Sequence, residues 1–147
     1  MKVVVQRSLK SNVSVDNKIV GSIDKGLVLL IGFTESDNEI IIDKIVKKIL
    51  NLRIFDDNNG IMNKSIKDIN GSILSISQFT LYGDISHGNR PSYMKALKAD
   101  EAIILYDLFN KKLSEFIHVE TGIFGSNMKV SITNDGPVTI IIESEDL

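Results

Sequence analysis

The chain has 147 residues, a formal net charge of −2, 43% hydrophobic and 24% charged residues, and no cysteine. These values are typical of one globular domain that buries its own core. The lack of cysteine excludes disulfides and thiolate metal sites, and the negative balance excludes a broad positive field for nucleic acid. The longest apolar stretch, Leu27–Phe33, is too short to span a bilayer, and Met1–Arg7 is too short for a secretory signal. We therefore expect a cytoplasmic protein that has no membrane partner.

The first third of the chain has the pattern of β-strands. Lys2–Gln6 is apolar and β-branched, and Asn12–Val15 and Lys18–Ile23 flank Asp16-Asn17, a pair suited to a tight hairpin turn. Gly26–Phe33 is a continuous apolar run, which predicts a strand buried on both faces.

Two later segments have helical periodicity. Ser36–Glu39 has the spacing of a capping box, and the apolar residues after it recur every three or four positions. Lys44, Lys47 and Lys48 fall off this apolar face, so we interpret them as a solvated surface, with contact to a phosphate backbone as the alternative. A second helix is predicted from about Asp100 to Phe116, again with one apolar face.

The remaining elements are strands and turns. A turn is predicted at Asp57–Gly60 and a strand at Ile73–Thr80. Met128–Thr133 and Val138–Glu143 are two further strands, joined by Asn134–Pro137. Residues 1–147 are thus expected to form one α+β domain, a mostly antiparallel and barrel-like sheet with two main helices.

Four segments are candidates for chemistry. Ser77–Thr80 brings an apolar strand into polar groups, and a strand end can present hydroxyls and free N–H groups to an oxyanion, or can simply terminate. Asn134–Thr139 is composed of turn-forming residues and, taken alone, is more typical of a hairpin turn. In the loop His87–Tyr93, Arg90 can pair with phosphate and Tyr93 can stack on a base, although such a loop is more often only a connection. Glu120–Gly125 predicts close backbone approach or a tight turn, and no specific chemistry follows from it.

Several familiar constellations are missing from the sequence. The two histidines, His87 and His118, are far apart, and there is no Gly-x-Ser-x-Gly elbow, P-loop or dinucleotide fingerprint. His118 follows a predicted helix in an apolar setting and is interpreted as structural. With two histidines and no cysteine, we expect neither a catalytic zinc site nor any other metal or cofactor.

The polar segments resemble a known family when they are taken together. Ser77-Gln78-Phe79-Thr80-Leu81 and Asn134-Asp135-Gly136-Pro137-Val138-Thr139 are similar to the two signature motifs of the D-aminoacyl-tRNA deacylases. The resemblance extends, in order and spacing, over the whole chain. Further matches are Val4–Arg7, Lys48–Phe55, Gly88–Ser92 and Glu120–Gly122 through Met128–Ser131.

The resemblance implies a homodimer whose active site lies at the subunit interface. The implied substrate is the 3′-terminal adenosine of tRNA, esterified to a D-amino acid or to glycine. Gly136 and Pro137 are implied to form a cis dipeptide that enters the site of the other subunit, where their carbonyls bind the α-ammonium and exclude L-substrates. Ser77, Gln78, Phe79 and Thr80 are implied to line the opposite, catalytic wall, with Asn134, Met128 and Arg7 among the residues that bind the substrate.

Three hypotheses are compatible with these motifs. The first is the editing esterase, with backbone N–H groups as oxyanion donors and with a water helped by the adenosine 2′-hydroxyl preferred to Thr80 as the nucleophile, because no base is evident beside Thr80. The second is a non-catalytic dimer that binds nucleic acid. The third is a related editing enzyme that accepts a small L-amino acid. The intact first motif and the acidic balance favour the first hypothesis.

Overall fold

The computed structural model describes residues 1–147 and contains two helices and ten strands. The helices are α1 (Glu39–Asn51) and α2 (Ala99–Ser114). The strands are β1 (Lys2–Ser8), β2 (Ser11–Val15), β3 (Lys18–Ile23), β4 (Gly26–Gly32), β5 (Phe55–Asp56), β6 (Met62–Lys64), β7 (Ser72–Ser77), β8 (Val119–Thr121), β9 (Lys129–Ser131) and β10 (Asn134–Glu143). Two short 3₁₀ turns cover Phe79–Tyr82 and Ser144–Asp146.

The strands form three separate sheets. A five-stranded sheet has the order β10-β1-β4-β7-β8, a three-stranded sheet has the order β3-β2-β9, and β5 pairs with β6. The pairs β10–β1 and β1–β4 and the pairs of the two smaller sheets are antiparallel, whereas β4–β7 and β7–β8 are parallel. The α+β class with mostly antiparallel pairing is confirmed. The sheets do not close on themselves, which corrects the barrel-like part of the prediction.

The five-stranded sheet is the middle layer of the molecule. On one face it packs against both helices, because the apolar positions of α1 recur at helical spacing and Ile42, Ile45 and Ile49 all turn inward. Full burial of each such side chain contributes about 1.5–3 kcal/mol. On its other face, Val28 and Leu74 pack in a smaller core beneath the three-stranded sheet. Neither helix combines the length and the apolar character that a membrane span requires.

The start of α1 differs from the predicted capping box. Asn38, not Ser36, is the N-cap, and its side-chain oxygen accepts a hydrogen bond from the backbone N–H of Ile41 at 3.2 Å. The physical reason is that the Asp37 side chain binds groups outside the helix. Its carboxylate accepts from the Thr34 N–H at 2.8 Å and pairs with the amino group of Met1 at 2.5 Å, and the helix is capped two residues beyond Ser36.

Two strand predictions are also corrected. The strand predicted at Ile73–Thr80 ends at Ser77, because Gln78 N–H makes the last bond to Ile31 at 2.7 Å and the chain then turns into the 3₁₀ segment. The predicted hairpin around Asn134–Pro137 does not form. β9 pairs with β2 and β10 pairs with β1, so the chain crosses from one sheet to the other there.

Candidate active site

A pocket of about 610 Å³ opens where β4 and β7 end and α2 begins. Its lining is mostly apolar, and its polar side chains are Ser77 and Gln78 of the first motif, Lys98 before α2, Tyr93 and Ser126. Lining residues include Ile31, Phe33, Ser77, Gln78, Phe79, Tyr93, Lys98, Ala99, Ala102, Phe124, Ser126 and Met128. A mostly apolar cavity of this size, with a few convergent polar groups, is typical of a small-molecule site.

The first motif forms one wall of this pocket because β7 stops beside β4. The ladder between the two strands pairs Ile31 with Ser77, and Gln78 N–H donates to the carbonyl of Ile31. The next residues form a single 3₁₀ turn, in which Leu81 N–H bonds Gln78 at 3.3 Å. The N–H groups at the beginning of such a turn have no acceptor within the turn, so those of Phe79 and Thr80 are available as donors.

Thr80 has a single side-chain partner. Gln78 Nε2 donates to Thr80 Oγ1 in a short hydrogen bond, and Thr80 itself is exposed. No histidine or carboxylate makes a hydrogen bond to this hydroxyl. An alcohol needs an adjacent base to act as a nucleophile, and the amide of Gln78 cannot take a proton from it.

Tyr93 lies on the pocket wall, and Arg90 does not. The Tyr93 ring stands edge-on to Phe79, with 5.1 Å between centroids and an interplanar angle of 72°. Its loop is held by an Asp84–Ser92 bridge and by an ion pair from Lys95 to Asp84 at 3.0 Å. Arg90 lies exposed at the tip of this loop and does not line the pocket.

The far wall comes from a segment to which the sequence assigned no chemistry. Phe124 lines the pocket and packs against Tyr106, with 5.7 Å between ring centroids. Burial raises the pKa of Tyr106, so its hydroxyl stays protonated and donates to the Ser75 carbonyl at 2.8 Å. The close approach and the tight turn predicted for Glu120–Gly125 are confirmed: a Cβ on Gly122 would lie 2.4 Å from Met128 Sδ, and Gly125 has a φ of +77°.

Lys98 is a second residue that sequence reasoning missed. It precedes α2 and is the one cationic side chain that lines the pocket. The only signal in the sequence is its position before the acidic first turn of that helix, Asp100 and Glu101. Acidic residues in a first turn stabilise a helix by complementing its dipole, so this pattern does not indicate a ligand.

The second motif belongs to a different cluster, built around Arg7. The Arg7 guanidinium is almost fully buried and donates to the carbonyl of Ile54 at 2.9 Å and to the carbonyl of Asp135 at 3.3 Å. It also pairs with the carboxylates of Asp135 at 3.2 Å and Asp56 at 3.4 Å. Arg7 thus ties the second motif to the segment after α1.

Asn134 completes this cluster from within the motif. Its side-chain amide donates to the carbonyls of Arg7 at 3.0 Å and Val138 at 2.9 Å, and its oxygen accepts from Thr139 Oγ1 at 3.1 Å. Within one chain, Arg7 and Asn134 therefore position backbone, and the substrate contacts expected of them stay a prediction. Gly136 and Pro137 project from the cluster and are exposed. Their peptide bond is cis, as expected.

The two motifs lie at opposite corners of the five-stranded sheet. Ser77 is level with Ile31, Val3 and Ile142, whereas Pro137 is five residues back along β10. β10 and β7 are separated by β1 and β4, which is about 14 Å across the sheet, and five residues add about 17 Å along it. Within one chain the motifs are therefore about 20 Å apart. Of the predicted site residues, the pocket brings together Ser77, Gln78, Phe79, Tyr93 and Met128, with Thr80 adjacent.

Comparison with known proteins accords with this arrangement. The model of the family described as D-Tyr-tRNA(Tyr) deacylase matches residues 4–143. A D-aminoacyl-tRNA deacylase of Bacillus cytotoxicus is 56% identical over 146 residues, which cover 99% of this chain and all of that protein.

Two solved structures share the fold over nearly the whole chain. The c-Myc DNA Unwinding Element Binding Protein has a TM-score of 0.92 and 37% identity, with 97% of this chain and 98% of that chain covered. A structure described as a probable eukaryotic D-amino acid tRNA deacylase has a TM-score of 0.81 and 18% identity, with 96% and 97% covered, and this likeness concerns the fold alone. With the family model and the Bacillus relative both spanning the motifs described above, the chain belongs to the D-Tyr-tRNA(Tyr) deacylase family.

Proposed function

We propose that this protein hydrolyses the ester bond between a D-amino acid, or a misattached glycine, and the 3′-terminal adenosine of tRNA, in the cytoplasm. The observation that carries the proposal is the pocket of about 610 Å³, which is lined by Ser77, Gln78 and Phe79 of the first motif, in a chain that belongs to a deacylase family. The pocket is large enough for an aminoacyl-adenosine, and its apolar floor can accept side chains of different size.

The proposed reaction is an ordinary ester hydrolysis. A water attacks the ester carbonyl carbon, and the resulting oxyanion is stabilised by N–H groups of the first motif, among which Phe79 and Thr80 have free donors. The bond to the adenosine 3′-oxygen then breaks, and that oxygen takes the proton that the attacking water loses. The products are a free amino acid and a tRNA with a free 3′-hydroxyl. No metal or cofactor has a part in this scheme.

The water, and not Thr80, is proposed as the nucleophile. Thr80 Oγ1 accepts a hydrogen bond from Gln78 and has no basic group in contact with it. The adenosine 2′-hydroxyl of the substrate lies next to the reacting ester and can assist the water. The activating group then belongs to the substrate, and the N–H groups of the first motif stabilise the oxyanion.

The proposed active form is a homodimer in which each pocket is completed by the second motif of the other copy. The distance of about 20 Å between the motifs prevents one chain from using both at one substrate. Two exposed features support pairing. β10 is the edge strand of the five-stranded sheet, and its Ile141 is 64% exposed; Phe79, on the wall of the pocket, is an exposed apolar side chain as well.

The proposed chiral selection follows from backbone groups. Gly136 and Pro137 are exposed, and Arg7 and Asn134 hold the flanking backbone by two hydrogen bonds, one to the carbonyl of Asp135 and one to the carbonyl of Val138. The carbonyls of Gly136 and Pro137 can accept hydrogen bonds from the α-ammonium of the substrate. In that position the substrate has room only for a hydrogen where an L side chain would lie. Because this selection uses backbone carbonyls and not contacts to the side chain of the amino acid, many D-amino acids are accepted.

A non-catalytic nucleic-acid-binding role is the second candidate. It is favoured by one structural relative at 37% identity, a DNA unwinding element binding protein. The net charge of −2 and the predominantly apolar pocket favour the esterase instead. A third candidate is an editing enzyme that accepts a small L-amino acid through a trans Gly-Pro; its first motif is expected to differ from Ser77-Gln78-Phe79-Thr80, so the intact motif favours the D-specific esterase.

One assay separates these candidates. The protein is incubated with matched D- and L-aminoacyl-tRNA, without added metal, and release of the amino acid is followed. We expect release from the D-form and none above background from the L-form. Equal rates would refute the chiral selection, binding of tRNA without release would favour the binding module, and loss of activity with a chelator that zinc restores would refute the metal-free scheme. Light scattering that shows a fully active monomer would refute the shared site.

A further inference from the structure

We propose that a basic groove along the C-terminal half of α1 binds the phosphodiester backbone of the tRNA. The groove has a volume of about 890 Å³ and is open to solvent. It is lined by Lys44, Lys47, Lys48, Asn51, Leu52, Arg53, Asp146 and Leu147. The inference rests on the proposed function, because it names the surface that would hold the body of that same substrate.

The groove has four cationic side chains and one anionic side chain, Asp146. Lys47, Lys48 and Arg53 are exposed and form no ion pair, whereas Lys2, Lys95 and Lys112 each pair with a carboxylate. Asp146 and Leu147 lie at one end, where Lys44 Nζ donates to the Leu147 carbonyl at 3.4 Å. In a chain of net charge −2, this is a local concentration of positive charge.

The spacing of the lysines destabilises helix α1. Lys44, Lys47 and Lys48 stand at i, i+3 and i+4 on one helix face, and like charges at these spacings destabilise a helix by roughly 0.2–0.5 kcal/mol per pair. One cation in the last turn would suffice to complement the helix dipole, and Lys48 supplies it. An anion that spans the groove reduces the repulsion between the additional lysines, and a row of backbone phosphates is long enough to contact all of them.

Arg53 presents a further donor face to such an anion. Its Nε donates to the carbonyl of Asn63 at 3.1 Å, which fixes the guanidinium plane and leaves the two terminal nitrogens without protein partners. A fixed guanidinium can bind two phosphate oxygens at once. Asn51, next to Lys47 on the same helix, donates to the Lys47 carbonyl at 2.7 Å and so holds the end of the helix in place.

The groove lies beside the second motif. Arg53 immediately precedes Ile54, whose carbonyl accepts from Arg7, and Arg7 also binds the carbonyl of Asp135 next to Gly136. The subunit that supplies Gly136 and Pro137 to a pocket therefore also places its own groove next to that pocket. An RNA strand that leaves the pocket reaches these cations within a short distance of its 3′ end.

The test compares a whole substrate with a short one. D-aminoacyl-tRNA and the D-aminoacyl ester of adenosine alone are hydrolysed by the wild type and by Lys47→Glu/Lys48→Glu over a series of salt concentrations. With tRNA, kcat/KM of the double variant should fall by about tenfold, and the slope of log kcat/KM against log salt should be shallower by about 2, since two phosphate contacts are lost. With the adenosine ester, both proteins should have the same rate.

The control carries the same change of charge elsewhere. Lys67→Glu/Lys111→Glu alters two exposed lysines outside the groove and should keep most of the tRNA rate and the wild-type salt slope. Equal losses on tRNA and on the adenosine ester, an unchanged salt slope, or an equal effect of the control variant would each overturn the proposal. If the wild type hydrolyses neither substrate, the proposed function fails instead, so the two failures are distinguishable.

Discussion

Replacement of Arg7 is the most informative single perturbation, because this side chain connects the second motif to the body of the domain. Arg7→Met removes the donor to the buried Ile54 carbonyl, and an unsatisfied buried acceptor costs about 1–3 kcal/mol. The two carboxylates that it leaves behind are 37% and 53% exposed and stay hydrated, so each adds only about 0–1 kcal/mol. These contributions together amount to about 1–5 kcal/mol, and we expect the free energy of unfolding to fall by a value near the middle of that range, about 2–4 kcal/mol.

For a chain of this length, each kcal/mol corresponds to about 2–4 °C in Tm, so calorimetry should show a decrease of roughly 5–15 °C. Well below that Tm, kcat/KM for D-aminoacyl-tRNA should fall because Asp135 and Gly136 are no longer held in place. Arg7→Lys keeps the charge but lacks the planar fork, and it should lose less stability than Arg7→Met while it still loses activity. Unchanged activity in a destabilised Arg7→Met protein would refute the positioning role, and an unchanged Tm would refute the contacts themselves.

Three further predictions concern single residues. Thr80→Ala should retain kcat within about tenfold, since no base adjoins the hydroxyl; a loss near 10⁴-fold would make Thr80 the nucleophile. Gly136→Ala should abolish most of the activity on D-aminoacyl-tRNA, because the φ of Gly136, +119°, costs other residues about 1–3 kcal/mol and because a Cβ there would lie 3.0 Å from Arg7 Nη2. Gly60→Ala is the matched control: Gly60 has a φ of +74° but lies in open space, so this variant should remain active. The Ser86 hydroxyl and N–H hold the pKa of Asp84 far below its usual range, so its stabilising effect is complete above the unfolded pKa of about 3.9 and is lost as pH falls through the folded value. Asp84→Asn should therefore lower Tm at pH 7 and have a smaller effect at pH 2, and equal effects at both pH values would contradict this.

The sequence predicted elements well where local patterns decide them. The strands of the first third and both helices lie within one or two residues of the predicted ranges, since their apolar residues alternate or recur at helical spacing. The turn at Asp57–Gly60 is confirmed as the connection of β5 and β6. Pairing between strands that are far apart in the sequence leaves no pattern within either strand. Val119–Thr121 is half-buried and only three residues long, and nothing in it indicates that it extends the five-stranded sheet.

The same distinction applies to the site. Asn134–Pro137 has the composition of a hairpin turn, but β9 and β10 find their partners in different sheets, and this places the second motif at a corner of the fold. Phe124 and Lys98 reach the pocket from separate elements, so neither is marked as a site residue by its neighbours in sequence. The two motifs themselves were identified by resemblance to the family, and their distance of about 20 Å follows only from sheet order and register.

The central claim is that one copy supplies the pocket and the other copy supplies the second motif. It is tested by a heterodimer of Ala99→Trp, which fills the pocket from the start of α2, and Gly136→Val, which disrupts the second motif; each homodimer should be inactive. In the heterodimer, isolated by two different affinity tags, one of two equivalent sites has an intact pocket and an intact motif. We therefore expect about half of the wild-type rate on D-aminoacyl-tRNA. A heterodimer as inactive as the two homodimers would contradict the shared site and with it the account of how this protein selects D-amino acids.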